Sequence, residues 1–298
     1  MKKMTFLLIF LTAFSLSCKK EALTFKAFDI GAYKVYLLND TKFEGSKDLL
    51  IGASDAMLKK YVPKGTYPMA VNCFAVQTAD KTVLIDSGFG TNLSKNLAAV
   101  KIDPEKINAV LITHMHYDHI GGLLKDGQAV FPNADIYVSK PEHKYWTSEK
   151  ELEKAVEAKG EDARSNFQLA GDVVKAYGSK LHLFVPNELG KIKENIFAGI
   201  TAIEAYGHTP GHTMFLIESD KEKLMVWGDL VHAMVIQMPY PEVAMQFDID
   251  HQQAIAARQK ILKYIADNKI LVAGMHIVPP GAGALEVSGE GYSFIPFK

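Results

Sequence analysis

Two cysteines in 298 residues leave no material for a disulfide framework. Cys18 closes a leader segment. Cys73 falls in the strand-like run Ala70-Val-Asn-Cys-Phe-Ala-Val76, where a small buried apolar side chain is the expected state. An excess of charge of either sign is also missing. Lys and Arg number 33 against 34 Asp and Glu, and no long basic run follows the first twenty residues. Nucleic-acid binding calls for a basic face, so no such partner is expected. No serine or cysteine stands in a recognisable nucleophile motif, and no internal repeat recurs at a fixed period. What remains is a globular chain of ordinary composition, 48% apolar and 22% charged, that lacks a covalent nucleophile.

The first eighteen residues depart from that composition. Lys2 and Lys3 precede the apolar run Phe6 to Leu16, which is too short for a membrane span and fits a secretory signal. Ser15-Leu-Ser-Cys18 resembles a bacterial lipoprotein cleavage site, although its leucine stands two residues before the cysteine and not three. Residues 1–18 are therefore expected to be a signal peptide ending at a lipid-bearing Cys18. Residues 19–298 are expected to form a single exported domain, periplasmic or anchored at the outer membrane, that meets the bilayer only through its lipid.

Along the mature chain, alternating apolar residues from Phe25 to Leu37 predict a strand pair turned at Asp29-Ile-Gly31. Asp40 to Tyr67 is polar and reads as a long loop, with one short helix near Asp55 to Tyr61 and the character of a lid. A hairpin follows, Cys73 to Thr78 and Thr82 to Ile85. Asp86 ends its second strand. That carboxylate is suited to accept the spare N–H of a ligand histidine, and the alternative is an N-cap for a helix from about Leu93 to Val100. A helix is predicted from Pro141 to about Lys159, with a second reaching Tyr177. Leu181 to Val185, Ile200 to Ala205 and Leu224 to Trp227 read as strands.

The densest chemistry lies in Leu111-Ile-Thr-His-Met-His-Tyr-Asp-His-Ile-Gly-Gly122. An apolar strand delivers His114 and His116, two apart and so directed to one side of an extended backbone. Asp118 and His119 follow at the turn and can address a second point. Imidazole and carboxylate are the donors that zinc and similar divalent metals take. This spacing marks a metal site.

The pattern His-x-His-x-Asp-His resembles the signature of the metallo-β-lactamase superfamily. So do Val83-Leu-Ile-Asp-Ser-Gly88 ahead of it, and Gly207-His-Thr-Pro-Gly-His212, Val226-Trp-Gly-Asp-Leu230 and Ala273-Gly-Met-His276 behind it, in the family's order. The resemblance implies a four-layer αββα sandwich of the α/β class carrying two divalent metal ions, with zinc the default and manganese, iron or cobalt acceptable. By it, His114, His116 and His212 would hold one metal and Asp118, His119 and His276 the other. Asp229 would bridge them, and His208 would serve as a supporting or packing residue. A metal-bridged hydroxide would then cleave an ester or lactone, with Asp118 and Asp229 as the catalytic carboxylates. A glyoxalase II-like thioesterase and a non-catalytic exported metal-binding protein are the other readings. A homodimer is implied by family resemblance alone.

The run from Val226 through His232, Gln237 and Pro241-Glu-Val to Phe247-Asp-Ile-Asp250 is similar to the methyl parathion hydrolase and lactonase branch, as is the tail Gly289 to Pro296. By that resemblance Trp146 and Phe167 match aromatics that wall a leaving-group pocket. Lactonases of the branch carry a tyrosine soon after the bridging aspartate. Here Asp229-Leu-Val-His232-Ala offers His232 instead, with no tyrosine until Tyr240. That departure shifts the expectation from acyl-homoserine lactones toward aryl esters and aromatic lactones, with organophosphates as a side activity.

Overall fold

Side-chain alternation along the strand Thr82–Ile85 sets the layers of the molecule. Val83 and Ile85 point one way and Leu84 the other, as the period of two in a strand requires, and all three are fully buried. A strand buried on both faces must lie between two apolar layers. The computed structural model, which describes residues 25–297 apart from Ala198, shows those layers. The leader, Cys18 and the lipoprotein motif lie outside the described residues.

Seven strands form the first sheet, in the order Phe25–Ile30, Tyr33–Ser46, Thr66–Gln77, Thr82–Ile85, Ala109–Leu111, Asp135–Ser139 and Leu181–Phe184. Six form the second, in the order Ile200–Glu204, Thr213–Ser219, Glu222–Val226, Leu271–Ala273, Ala282–Ser288 and Gly291–Pro296. Between the sheets, Leu37, Phe74, Val83, Ile85 and Leu111 of the first meet Phe215, Ile217, Leu224 and Val226 of the second. The outer face of the first sheet packs Leu84, Val110 and Ile136 against helical residues including Leu97, Phe167 and Val173. The outer face of the second packs Leu216, Met225 and Val272 against Ile261, Leu262 and Ile265 of the helix His251–Asp267. The architecture is the expected four-layer αββα sandwich.

Two local expectations are corrected. Asp40 to Tyr67 is not one long loop. A β-bulge between Asn39 and Thr41 lets the second strand continue to Ser46, and its partner begins at Thr66, so a long hairpin overhangs the sheet. The short helix Asp55–Tyr61 sits in its tip, which is fastened by pairing of Leu50 and Ile51 with Met245 and Ala244 and by the edge-on contact of Tyr61 with Tyr240. The helix expected from Pro141 to Lys159 is two, Lys140–Trp146 and Glu149–Lys159. Ser148 caps the second by accepting the Glu151 N–H and so breaks the run.

Phe215→Ala removes a fully buried ring from the layer between the sheets. Stability should fall by about 3–5 kcal/mol, read from urea unfolding at fixed metal concentration.

Candidate metal centre

Strand ends of both sheets converge on one edge, where His114, His116, Asp118, His119, His208, Asp229 and His276 come together. His116 caps the short helix Tyr117–Ile120, which turns Asp118 and His119 away from the line of His114 and His116. The side-chain amide of Asn166 bridges that turn, accepting from the Tyr117 N–H and donating to the Met115 carbonyl, each at 2.8 Å. Gly228 carries a φ of +58° immediately before Asp229, and a Cβ there would run into the His212 ring. Only glycine meets both conditions without strain.

The donors fall into two groups that share Asp229. In the first, His116 Nδ1 lies 2.9 Å from His114 Nε2 and 3.0 Å from His208 Nε2, which is 3.3 Å from Asp229 Oδ2. In the second, His276 Nε2 lies 3.0 Å from Asp229 Oδ2 and 3.5 Å from Asp118 Oδ2, with His119 Nε2 3.2 Å from Asp229 Oδ1. His119 Nε2 and Asp229 Oδ1 are buried and have no hydrogen-bond partner. Buried polar atoms are nearly always satisfied, so this donor set fits a divalent cation.

The far nitrogens of His119, His208 and His276 are held in turn. Asp86 Oδ2 is 2.7 Å from His119 Nδ1, and the same carboxylate accepts from the Thr113 hydroxyl at 2.6 Å and the Thr113 N–H at 2.8 Å. Asp86 therefore backs the His119 ring, as expected, and does not cap the helix Leu93–Ala99, which begins after Asn92. Asp248 Oδ1 is 2.8 Å from His208 Nδ1, and the Ala70 carbonyl accepts from His276 Nδ1 at 2.8 Å. Such partners fix the tautomer and sharpen the ring as a donor.

The roles expected of the two histidines in Gly207-His-Thr-Pro-Gly-His212 are reversed. His208 stands in the first group. His212 spends both nitrogens on the backbone, donating from Nδ1 to the Ala205 carbonyl and accepting the Asp229 N–H at Nε2, each at 2.9 Å. It aims the Asp229 carboxylate and has no lone pair left for a cation. Trp146 and Phe167 stand beside the donors, with the Trp146 ring 5.4 Å from that of His116. Both are nearly buried and line a cavity of about 580 Å³ that shares His116 and Asn166 with the one over the donors. His232 does line the cavity over the donors, with Nε2 2.9 Å from Asp229 Oδ2 and its ring stacked on His276. Tyr240 does not.

Sequence reading missed Asp248 and Glu142. Asp248 sat inside the noticed run Phe247-Asp-Ile-Asp250, where only its neighbour Asp250 had an obvious local use as the cap of the next helix. Glu142 gave no local sign. Its buried carboxylate accepts from the Met115 N–H, the Trp146 indole, the Thr209 hydroxyl and the Gly211 N–H at 2.6–2.9 Å, joining the His114–His116 turn to the His208 loop.

Burial and mutual repulsion push the His114 and His116 rings well below the usual imidazole range, leaving them neutral as a ligand must be. Burial acts the same way on His119 and His208, but Asp229, Asp118 and Asp86 around the first, and Asp229 and Asp248 around the second, overcome it. His119 is held well above its ordinary value and His208 at about 9. Burial takes His212 down to about 3 and His232 to about 4.

Over these donors lies a cavity of about 390 Å³, walled by Phe43, Leu49, Met69, Phe89, Tyr117 and Phe247. Among the described residues, no lysine or arginine lines it.

A family model described as the metallo-beta-lactamase superfamily matches residues 66–276. Among solved structures, the chain is similar to AidC, a dizinc quorum-quenching lactonase crystallised with a homoserine product. The two share 30% identity over 93% of this chain and 98% of that one, at a TM-score of 0.84. A hydrolase of the β-lactamase superfamily, AbOPH, is 28% identical over 94% and 99%, at a TM-score of 0.85. Among curated proteins, the exodeoxyribonuclease WalJ of Streptococcus pneumoniae is 34% identical over 79 residues, and the uncharacterized YobT of Bacillus subtilis 27% over 146. Those matches span 29% of WalJ and 56% of YobT, and 25% and 49% of this chain.

The two histidines can be told apart in solution. His208→Gln should lower the metal bound per chain by elemental analysis. His212→Gln, which keeps an acceptor for the Asp229 N–H, should retain the metal and cost about 1–3 kcal/mol of stability through the unpaired Ala205 carbonyl.

Proposed function

Because the chain belongs to the metallo-β-lactamase superfamily, we propose that it is a dinuclear metal-dependent hydrolase of uncharged esters and lactones. One observation carries this reading: two imidazole–carboxylate groups share Asp229 on the floor of an apolar cavity that no lysine or arginine lines among the described residues. His114, His116 and His208 would hold one ion, Asp118, His119 and His276 the other, and Asp229 both. Zinc suits this donor set, and manganese, iron or cobalt are also compatible with it. When bound, the pair supplies a Lewis acid and a water acidic enough to attack at neutral pH.

The protein's own part is orientation and selection. Asp86, Asp248 and Ala70 lock the ligand rings, so the donors are in place before substrate arrives. His232 has a buried Nδ1 with no partner and an Nε2 at the Asp229 carboxylate. It holds the Asp229 carboxylate from the cavity side, in the stretch where lactonases of this branch carry a tyrosine. The aromatic wall favours an aryl or acyl group and offers nothing to pair with an anion. A glutathione thioester carries carboxylates that would enter this cavity unpaired, and a nucleic-acid backbone would fare worse. The likeness to the lactonase AidC along nearly the whole chain supports the ester or lactone choice, and AbOPH adds weight to the hydrolase class.

The purified protein should hydrolyse dihydrocoumarin or p-nitrophenyl acetate only with metal supplied. Chelation should abolish turnover and lower the melting temperature. Asp229→Ala should remove activity on every substrate. His232→Phe should lower kcat by roughly 10–100-fold, because the Asp229 carboxylate loses a hydrogen bond that fixes its orientation. Turnover of a glutathione thioester alone would overturn the ester assignment.

A further inference from the structure

We propose that the mouth of the metal cavity rests on an anionic phospholipid surface and receives apolar substrates from that side. The strand registers are the starting point. Phe25 pairs with Leu38, Leu38 with Cys73, and the adjoining Phe74 with Ile85, the last strand residue before Asp86. The chain therefore enters the fold at the same end of the first sheet as the metal donors. Phe25 stands three strand spacings from Ile85, about 14 Å at the usual separation. Cys18, the residue with the lipoprotein motif, is seven residues earlier. A fully extended link of that length spans at most about 25 Å. A lipid on Cys18 would thus hold the donor-bearing edge, and not the opposite one, toward the bilayer.

The surface at that edge matches what it would meet. Phe43, Tyr117 and Phe247 line the cavity and are each 40–52% exposed, and Ile51, two residues beyond the lining Leu49, is 38% exposed, an uncommon gathering of large apolar groups on one face. The overhanging hairpin from Thr41 to Gly65 adds Lys42, Lys47, Lys59, Lys60 and Lys64 against Glu44, Asp48 and Asp55. A basic excess beside exposed aromatics is the composition that anionic headgroups attract, and it supplies the second contact that steady anchoring needs. The opposite end of the sheet turns at Thr78, Asp80 and Lys81 and is polar. Among the described residues no helix is long and apolar enough to cross a membrane, so the contact would be at the surface. The orientation stands apart from the reaction. Only the nature of what enters the cavity rests on the hydrolase reading.

The test uses the full chain, produced in a bacterium that processes lipoproteins and checked by intact mass for acylation of Cys18. With Cys18 acylated and Cys73 buried, a thiol-reactive fluorophore marks only an introduced cysteine, at Ile51→Cys or at Asp80→Cys. The labelled proteins are placed on phosphatidylethanolamine–phosphatidylglycerol vesicles whose acyl chains carry bromine as a quencher. Quenching should be several-fold stronger at position 51 than at 80, and the difference should shrink when phosphatidylcholine replaces phosphatidylglycerol. Equal quenching at the two positions, stronger quenching at 80, or none at either would overturn the proposal. Because the readout does not involve turnover, such a result would leave the hydrolase assignment untouched.

Discussion

One buried carboxylate governs this molecule. Asp229 lies within 3.6 Å of a ring nitrogen on each of His114, His119, His208, His232 and His276. These rings come from four separate stretches of chain on both sheets, so the sandwich can close properly only if their charges balance around that point. The surrounding aspartates hold some rings protonated while burial holds others neutral. A divalent cation bound here would take over the role of those protons, so metal binding would add to the stability of the fold. Gly228 and His212 serve the same point from behind, one by permitting the turn and the other by anchoring the Asp229 amide.

Much of this was legible in the sequence wherever the information is local. His114, His116, Asp118 and His119 occur within six residues, and their spacing on a strand and turn was enough to mark a metal site. Thr82 to Ile85 declared a doubly buried strand by its unbroken apolar run. Gly207-His-Thr-Pro-Gly-His212 defeats the same reasoning, because two histidines four apart in a glycine- and proline-bearing loop are chemically alike. Only the fold reveals that one meets Asp248 and the other meets backbone. Glu142 was unreadable for a related reason, since all but one of its four donors lie more than twenty residues away. The polar stretch after Asp40 concealed a strand because its side chains overhang the sheet into solvent, where the alternation of apolar and polar residues is lost.

The wall of the cavity gives the site its character as much as the donors do. A metal pair alone would polarise almost any carbonyl or phosphoryl group that reached it. On the proposed reading, the aromatic collar and the lack of lysine or arginine among the described residues that line it would favour neutral molecules with an apolar portion. His232 adds a polar ring beside Asp229, fixed by its stacking on His276.

Glu142 has a further consequence for how such a molecule could diversify. Its four hydrogen bonds tie the two ligand-bearing loops to the helix Lys140–Trp146, and the tie ends there. The helices Glu149–Lys159 and Asp162–Tyr177 come after this strut, and apart from Asn166 they make no hydrogen bond to the donor loops among the described residues. They form the wall of the second cavity while the donor geometry is secured upstream. The insertion can therefore drift in sequence, or be exchanged in a library, with the donor geometry insulated from the change so long as Asn166 is kept. The protein separates a fixed reaction centre from a replaceable neighbourhood, and the boundary between them falls at Thr147.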